Sequence, residues 1–324
     1  MRWIFGAVTA MALTWGVPVT AQETFPTRPV TIVVPYTAGG PSDLLARILA
    51  DELTKVWNQP VLIENKPGGG TVVALAATAH AEPDGYTMIE TSPAFVINPA
   101  VRSSMPYDAE KDFRGVSLFV GSPSAIVAHP GFAPNTLAEM VEEAKKRDPS
   151  NPVTYAALLG SGTHMTMELL QLRTGVKFKA IPYQGSADAL PDTLAGRVDS
   201  NIAIVGDILP LVKSGQLKII SLVYPERLSS LPDTPTALEE FPELQDDPMG
   251  SWNAIHVPAG VPDDILKQIA EGFEKATNSE SYKQRVREFD SFPRYTTPEE
   301  TDAFISHEIA TWKEVAAASG IKID

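Results

Sequence analysis

A strand that runs into adjacent glycines and then into an amphipathic helix recurs along this chain. A polypeptide built from such units winds into an α/β fold, with a parallel or mostly parallel sheet covered on both faces. The first unit contains "VVPYTAGGPSDLLARILADEL", from Val33 to Leu53. Val30 to Val34 is β-branched and closes at Pro35, which cannot extend a ladder. Leu44, Leu45, Ile48, Leu49, Leu53 and Val56 then recur at helical spacing, with Arg47, Asp51, Glu52 and Lys55 opposite. Ser42 is placed to cap this helix, and Asp43 suits the positive end of its dipole. Between strand and helix, Gly39 and Gly40 permit either an ordinary tight turn or a loop whose free amides face an anion.

The outline repeats. "QPVLIENKPGGGTVVALAATAHAEPDGYTMIETS" predicts a strand at Val61 to Glu64, a glycine loop at Gly68 to Gly70, an Ala-rich helix, a turn at Pro83-Asp84-Gly85 and a strand at Tyr86 to Thr91. "VSLFVGSPSAIVAHP" is β-rich and broken at Gly121-Ser122-Pro123, a crossing into a second domain. A helix follows from Leu137 to Arg147, then a strand at Val153 to Ala156. Gly160 and Gly162 precede a helix whose Met165, Leu169, Leu170 and Leu172 read as core. A strand ending at Ile181 leads to Gly185 and Ser186 at a third such helix start. "SWNAIHVPAGVP" reads as a strand returning to the first domain, followed by helices at Asp263 to Thr277, Glu280 to Glu288 and Pro298 to Ser319.

The opening "MRWIFGAVTAMALTWGVPVTAQ" has one Arg, a short apolar stretch and the small-residue ending Val19-Thr20-Ala21, the pattern of a secretory signal peptide at residues 1–21. No later apolar run approaches the ~18 residues of a membrane span, so an exported, soluble chain is expected. There are no cysteines, so stability rests on cores rather than disulfides. About 300 mature residues favour two domains. The chain carries 26 Lys+Arg against 40 Asp+Glu, and loss of residues 1–21 removes only Arg2, giving 25 − 40 = −15. That excess argues against nucleic acid or an anionic membrane as partner. An anionic small molecule is still permitted, because exposed charges beyond ~8 Å are largely screened.

There is no Walker A pattern, no G-x-S-x-G elbow, no H-E-x-x-H and no EF-hand loop. His164 and Glu168 lie four apart, a spacing too common to indicate a metal. No nucleophile, base and orienting acid are tied together, so neither an enzyme nor a cofactor is expected. The helix-start loops Tyr36 to Asp43, Gly160 to His164 and Tyr183 to Asp188 contain no Lys or Arg. An anion shared between them would be held by amides, hydroxyls and dipoles.

"FPTRPVTIVVPYTAGGPSDLLARILADEL", "QPVLIENKPGGG", "PDGYTM", "YDAEKDF", "PYQGSADAL", "LPDTPTALEE" and "SWNAIHVPAGVP" resemble, in this order, the substrate-binding proteins of tripartite tricarboxylate transporters, the Bug receptors. The resemblance spans the mature chain. It implies a two-lobed periplasmic-binding-protein fold of the type II-like Venus-flytrap kind, with a ligand cleft between lobes. Residues 22–122 with 252–324 would form one lobe and 123–251 the other, hinged near Ser122 and Ser251. It further implies a monomeric receptor that captures a small carboxylate and hands it to a large and a small membrane permease subunit. By position, it points to Tyr36, Thr37, Ala38, Gly39, Gly40, Ser42 and Asp43, and to Thr91, Ser92 and Ala94, on the first lobe. On the second it points to Gly160, Ser161, Gly162, Thr163 and His164, and to Tyr183, Gly185 and Ser186. Amides of the first loop would hold the carboxylate. Two departures stand out: Ala203 or Ile204 replaces an Asp or Asn of many relatives, and Leu158-Leu159 is more apolar than usual.

Asp207, in "IVGDILPLVKSG", is placed either to cap a short helix or to face the far end of a ligand. A ligand-sensing module and, with less support, an exported hydrolase are the alternatives to a transport receptor.

Overall fold

The computed structural model describes residues 25–183 and 185–323. The predicted signal peptide lies outside the described residues. Strands β1 (Val30–Val34), β2 (Val61–Asn65), β3 (Thr87–Thr91), β4 (Phe113–Ser122), β10 (Ser251–Pro258) and β11 (Phe292–Pro293) form one sheet in the order β11-β4-β10-β3-β1-β2. Strands β5 (Ser124–Ala128), β6 (Thr154–Ala157), β7 (Lys179–Pro182), β8 (Ser200–Ile204) and β9 (Lys218–Val223) form a second in the order β7-β6-β8-β5-β9. The helices of the first lobe are α1 (Pro41–Trp57), α2 (Val72–Ala79), α3 (Ala94–Val101), α9 (Asp263–Thr277), α10 (Glu280–Arg287) and α11 (Pro298–Ser319). Those of the second are α4 (Leu137–Lys146), α5 (Gly162–Thr174), α6 (Ser186–Leu194), α7 (Val205–Lys213) and α8 (Ala237–Glu240).

The β1 strand is buried between β2 and β3, parallel to both, in the register Val30↔Val61 and Ile32↔Met88. Its apolar run suits a strand covered on both faces. The chain leaves this sheet at Ser122, the end of β4, and enters the second at Ser124, with only Pro123 between. It returns at β10, whose Ser251 pairs with Ser122, so both crossings sit side by side. Because β10 comes back from the other lobe, it runs antiparallel to β3 and β4.

Local chemistry explains α1, with two corrections. Gly40, not Ser42, is the N-cap, because Pro41 at the first helical position starts the helix earlier. The buried stripe runs through Leu45, Ile48, Leu49 and Leu53, while Leu44 and Val56 lie at its rim and are exposed. In α5, Leu172 is likewise exposed, whereas Met165 and Leu169 pack into the first lobe's core with Ile97, Ile309 and Trp312. Met167 and Leu170 pack into the second lobe's core, so α5 is apolar on two sides and belongs to both.

Helix α3, not expected from the sequence, carries Pro99 in its interior. Pro99 removes one intrahelical donor, and the Phe95 carbonyl it would have served accepts instead from Tyr107 Oη at 3.2 Å.

Candidate functional site

A cleft of about 730 Å³ opens between the lobes, and the N-termini of α1, α3, α5, α6 and α7 all reach its wall. Gly40 and Ser42, Pro93 and Ala94, Gly162 and Thr163, Ser186, and Gly206 are the lining residues at these starts. At α1, α3, α6 and α7 no side chain caps the first turn. First-turn N–H groups have no acceptor inside their helix; at α3 those of Phe95 and Val96 turn to the Ser92 and Pro93 carbonyls and at α7 that of Val205 turns to the Pro123 carbonyl, so the starts of α1, α6 and α7 supply the remaining donors, and all four point positive dipole ends at one space. Only α5 is capped, with Ser161 Oγ accepting from the His164 amide at 3.3 Å. Among the described residues, no Lys, Arg or His lines the cleft. Hydroxyls of Ser92, Ser124, Thr163 and Thr166 supplement the amides, and Leu158, Ile202, Ile204 and Val223 make part of the second lobe's wall apolar.

Of the residues singled out from sequence, Tyr36, Thr37, Gly40, Ser42, Ser92, Ala94, Ser161, Gly162, Thr163, Ser186 and Asp207 line the cleft. The others are placed off its lining. Ala38 and Gly39 are exposed in the loop, and the Gly39 N–H donates to Asp43 Oδ2 at 2.8 Å. That amide therefore serves the turn, which takes Gly39 at φ +82°. Asp43 is buried, accepts from Asn65 and pairs with Arg47 at 2.9 Å, which holds its carboxyl below the usual range despite burial. Thr91 is buried behind the wall, with Oγ1 2.9 Å from His256 Nδ1. Complete burial pushes His256 down to about 3.

Gly160 lies beneath the C-terminal tail, and its N–H donates to Nδ1 of the buried His164 at 3.1 Å. Burial lowers the His164 pKa, with the Glu168 charge opposing. Glu168 accepts from Tyr155 at 2.6 Å and Gln171 at 2.8 Å, so this pair is spent within the fold. Tyr183 donates to Asp192 at 2.8 Å, and Gly185 is the N-cap of α6. Among the described residues, no group of three metal-ligating side chains comes together.

Asp207 is not a cap. Ile204 is the N-cap of α7, and Asp207 stands in the first turn with its carboxylate on the cleft wall. The side chain is solvent-accessible, yet the enclosing walls still raise its pKa by desolvation.

Sequence reasoning missed a strap and a floor. The strap joins α10 to β11 and lines the cleft with Glu288, Phe289, Asp290 and Ser291. It carries Asp290 at φ 48° and meets α7, where a Cβ on Gly206 would lie 3.3 Å from the Phe289 carbonyl oxygen. In the floor, Tyr36 Oη and Ser92 Oγ share a 2.5 Å hydrogen bond. Asn253 Nδ2 donates to Ser42 Oγ at 3.2 Å and also to Oε1 of Glu90, which is completely buried. The acid within "TMIET" was the available sign.

The family model for the tripartite tricarboxylate transporter family receptor matches residues 45–321. The chain belongs to this receptor family. Protein BugT of Bordetella pertussis is 32% identical over 309 residues, covering 94% of this chain and 93% of BugT. Among solved structures of similar fold, R. palustris Rpa4515 with adipate is 30% identical, with a TM-score of 0.75 over 92% of this chain and 99% of that one. MatC from Rhodopseudomonas palustris with bound malate is 28% identical, with a TM-score of 0.70 over 90% of this chain and 99% of MatC. The receptor-family fold is two-lobed, and the helix-start cleft lies where its lobes face one another.

Proposed function

We propose that this receptor captures a small carboxylate in the cleft and delivers it to a tripartite permease with one large and one small membrane subunit. The carrying observation is the convergence of uncapped helix N-termini on a space without cations. Dipoles and amides bind an anion without a fixed counter-ion and release it without breaking a salt bridge. The malate and adipate held by relatives are of this class. Binding without catalysis is the reading favoured by a wall that carries serines but no histidine to activate them.

The lobes are residues 22–122 with 252–324 and residues 123–251, moving about Ser122 and Ser251 as a monomer. The carboxylate rests on the α1 start, and Asp207, on the other lobe, selects the ligand's far end. A hydroxyl or ammonium there gains an acceptor, and a second carboxylate meets like charge. The leader is removed after Ala21, leaving the receptor in the periplasm; an intact mass that retains residues 1–21 contradicts this.

The deciding experiment is a thermal-shift screen over lactate, benzoate, malate, adipate and citrate. An acid at ~100 times its Kd adds about 2.7 kcal/mol to stability. No shift with any of them overturns the reading.

A further inference from the structure

Glu90 lies within β3, with none of its surface exposed. A buried carboxylate is costly to ionise without a cation or several donors. Glu90 Oε1 accepts from Asn253, while Oε2 has no hydrogen-bond partner of ordinary geometry. The Ser42 hydroxyl nearby favours the ionised form. Both Asn253 and Ser42 line the cleft, so the acid lies directly behind the wall that carries the α1 start. Its field reaches that wall: the Glu90 charge, after burial, is a cause of the raised pKa of the cleft-lining Tyr36.

Among the described residues, the surroundings offer no countercharge. From α1, Asp43 and Arg47 are engaged with each other. From β10, His256 lies on the other face of the sheet with Thr91. Tyr36 comes from the β1–α1 loop, and the other charged groups at the cleft are Glu288 and Asp290 of the strap and Asp207 of α7, all acids.

We infer that anion capture in this cleft is coupled to protonation of Glu90, so that the receptor takes up one proton from solvent with its carboxylate and holds it more loosely as the medium becomes alkaline. The inference rests on the carboxylate reading of the site above. Two effects act in the same direction. An ionised Glu90 repels a carboxylate on the α1 start. It also draws the Ser42 hydroxyl inward, whereas a protonated Glu90 leaves that hydroxyl free to donate into the cleft. Glu90 therefore acts through Ser42 and Asn253 as a positioning residue, and burial, which raises it to about 7, puts its titration where it matters.

The test combines calorimetry and infrared spectroscopy on the mature receptor, with lactate and, separately, adipate as probes. Wild type is expected to take up about half a proton at pH 7 and closer to one at higher pH, seen as heats that differ between buffers of different ionisation enthalpy, and to lose affinity by up to about tenfold per pH unit above it. Glu90→Gln should bind within about twofold across the same range, Glu90→Asp should restore a slope, and Asp207→Asn should keep the slope near neutrality. In the ligand-free protein the band left on subtracting Glu90→Gln from wild type, which cancels the contribution of the buried Glu308, should be that of a protonated carboxyl and should fade as pH rises through about 7. A wild type that takes up no proton, or a Glu90→Gln chain with the wild-type slope, overturns the inference. A band that does not titrate overturns it whether or not either acid binds. A titrating band with none of lactate, benzoate, malate, adipate and citrate bound at any pH instead sinks the carboxylate reading, and with it the coupling.

Discussion

Ile323 occupies the place of a side chain at Gly160: a Cβ built there would fall 1.7 Å from Ile323 Cδ1. The tail is held by the Ile323 amide, which donates to the Val101 carbonyl at 2.8 Å, and Gly160 adopts φ +75°. Gly160→Ala should cost about 1–3 kcal/mol in chemical denaturation, from displaced tail and strained backbone together. Adding Ile323→Ala removes the clash, so the double mutant should be more stable than the sum of single effects by about 0.5 kcal/mol or more. Strict additivity would mean the two do not press on each other.

Gly250, beside the crossing, adopts φ +85°, and a Cβ there would lie 2.9 Å from Tyr224 Cδ2, so a hinge at this point should be sensitive to it. Tyr224 stacks on Phe292 with ring centroids 5.3 Å apart, joining the second lobe to the first. Small-angle scattering should show the radius of gyration falling when wild type is saturated with a binding acid. Gly250→Ala should blunt that change. Identical wild-type curves with and without the acid would falsify hinge closure.

Asp207→Asn removes charge from the cleft wall without changing shape. Unit charges ~4 Å apart repel by about 1 kcal/mol in water and about 4 kcal/mol at an effective dielectric near 20. The exposed side chain places Asp207 nearer the lower figure. The affinity ratio of malate to lactate should therefore rise about five- to tenfold in calorimetric titration. An unchanged ratio removes Asp207 from selectivity.

Glu308, on α11, is buried and accepts from Trp312 Nε1 at 2.6 Å, and burial raises its carboxyl to about 7. An acid whose folded pKa exceeds its unfolded value of about 4.3 gives stability that is complete below 4.3 and is lost as pH rises through the folded pKa. Relative to wild type, Glu308→Gln should gain stability by about 1.4 kcal/mol per unit between about pH 4.3 and 7, then level off. A flat difference in denaturation across that window contradicts the assignment.

Strand, glycine loop and helix were legible because each is written in neighbouring residues: the β-branched run of β1, the stripe of α1, the glycines at the start of α5. What escaped depends on distant partners. Helix α3 survives Pro99 only because Tyr107 supplies a donor from outside it. Ser42 and Asp207 have the chemistry of caps, but the chain enters α1 and α7 at Gly40 and Ile204, leaving both side chains for the cleft. Glycines and hydroxyls near a helix start announce a site without saying which face it, so Gly39 and Thr91 turn away while Thr37 and Ser92 do not. The strap of Glu288 to Ser291 and the Glu90–Asn253 contact arise from segments far apart in sequence.

Helix α5 gives the molecule a seam that differs from its chain crossings. Its Met165 and Leu169 belong to the first lobe's core, and Arg173 on the same helix binds Asp247 at 2.8 Å and Glu314 of α11 at 2.6 Å. Recombination between relatives that cuts only at Pro123 and Ser251 would transplant α5 without the α3 and α11 surfaces it was shaped against. A lobe exchanged into this chain would therefore have to bring matching α3, α5 and α11 surfaces, whereas a cleft loop could be exchanged without disturbing that seam.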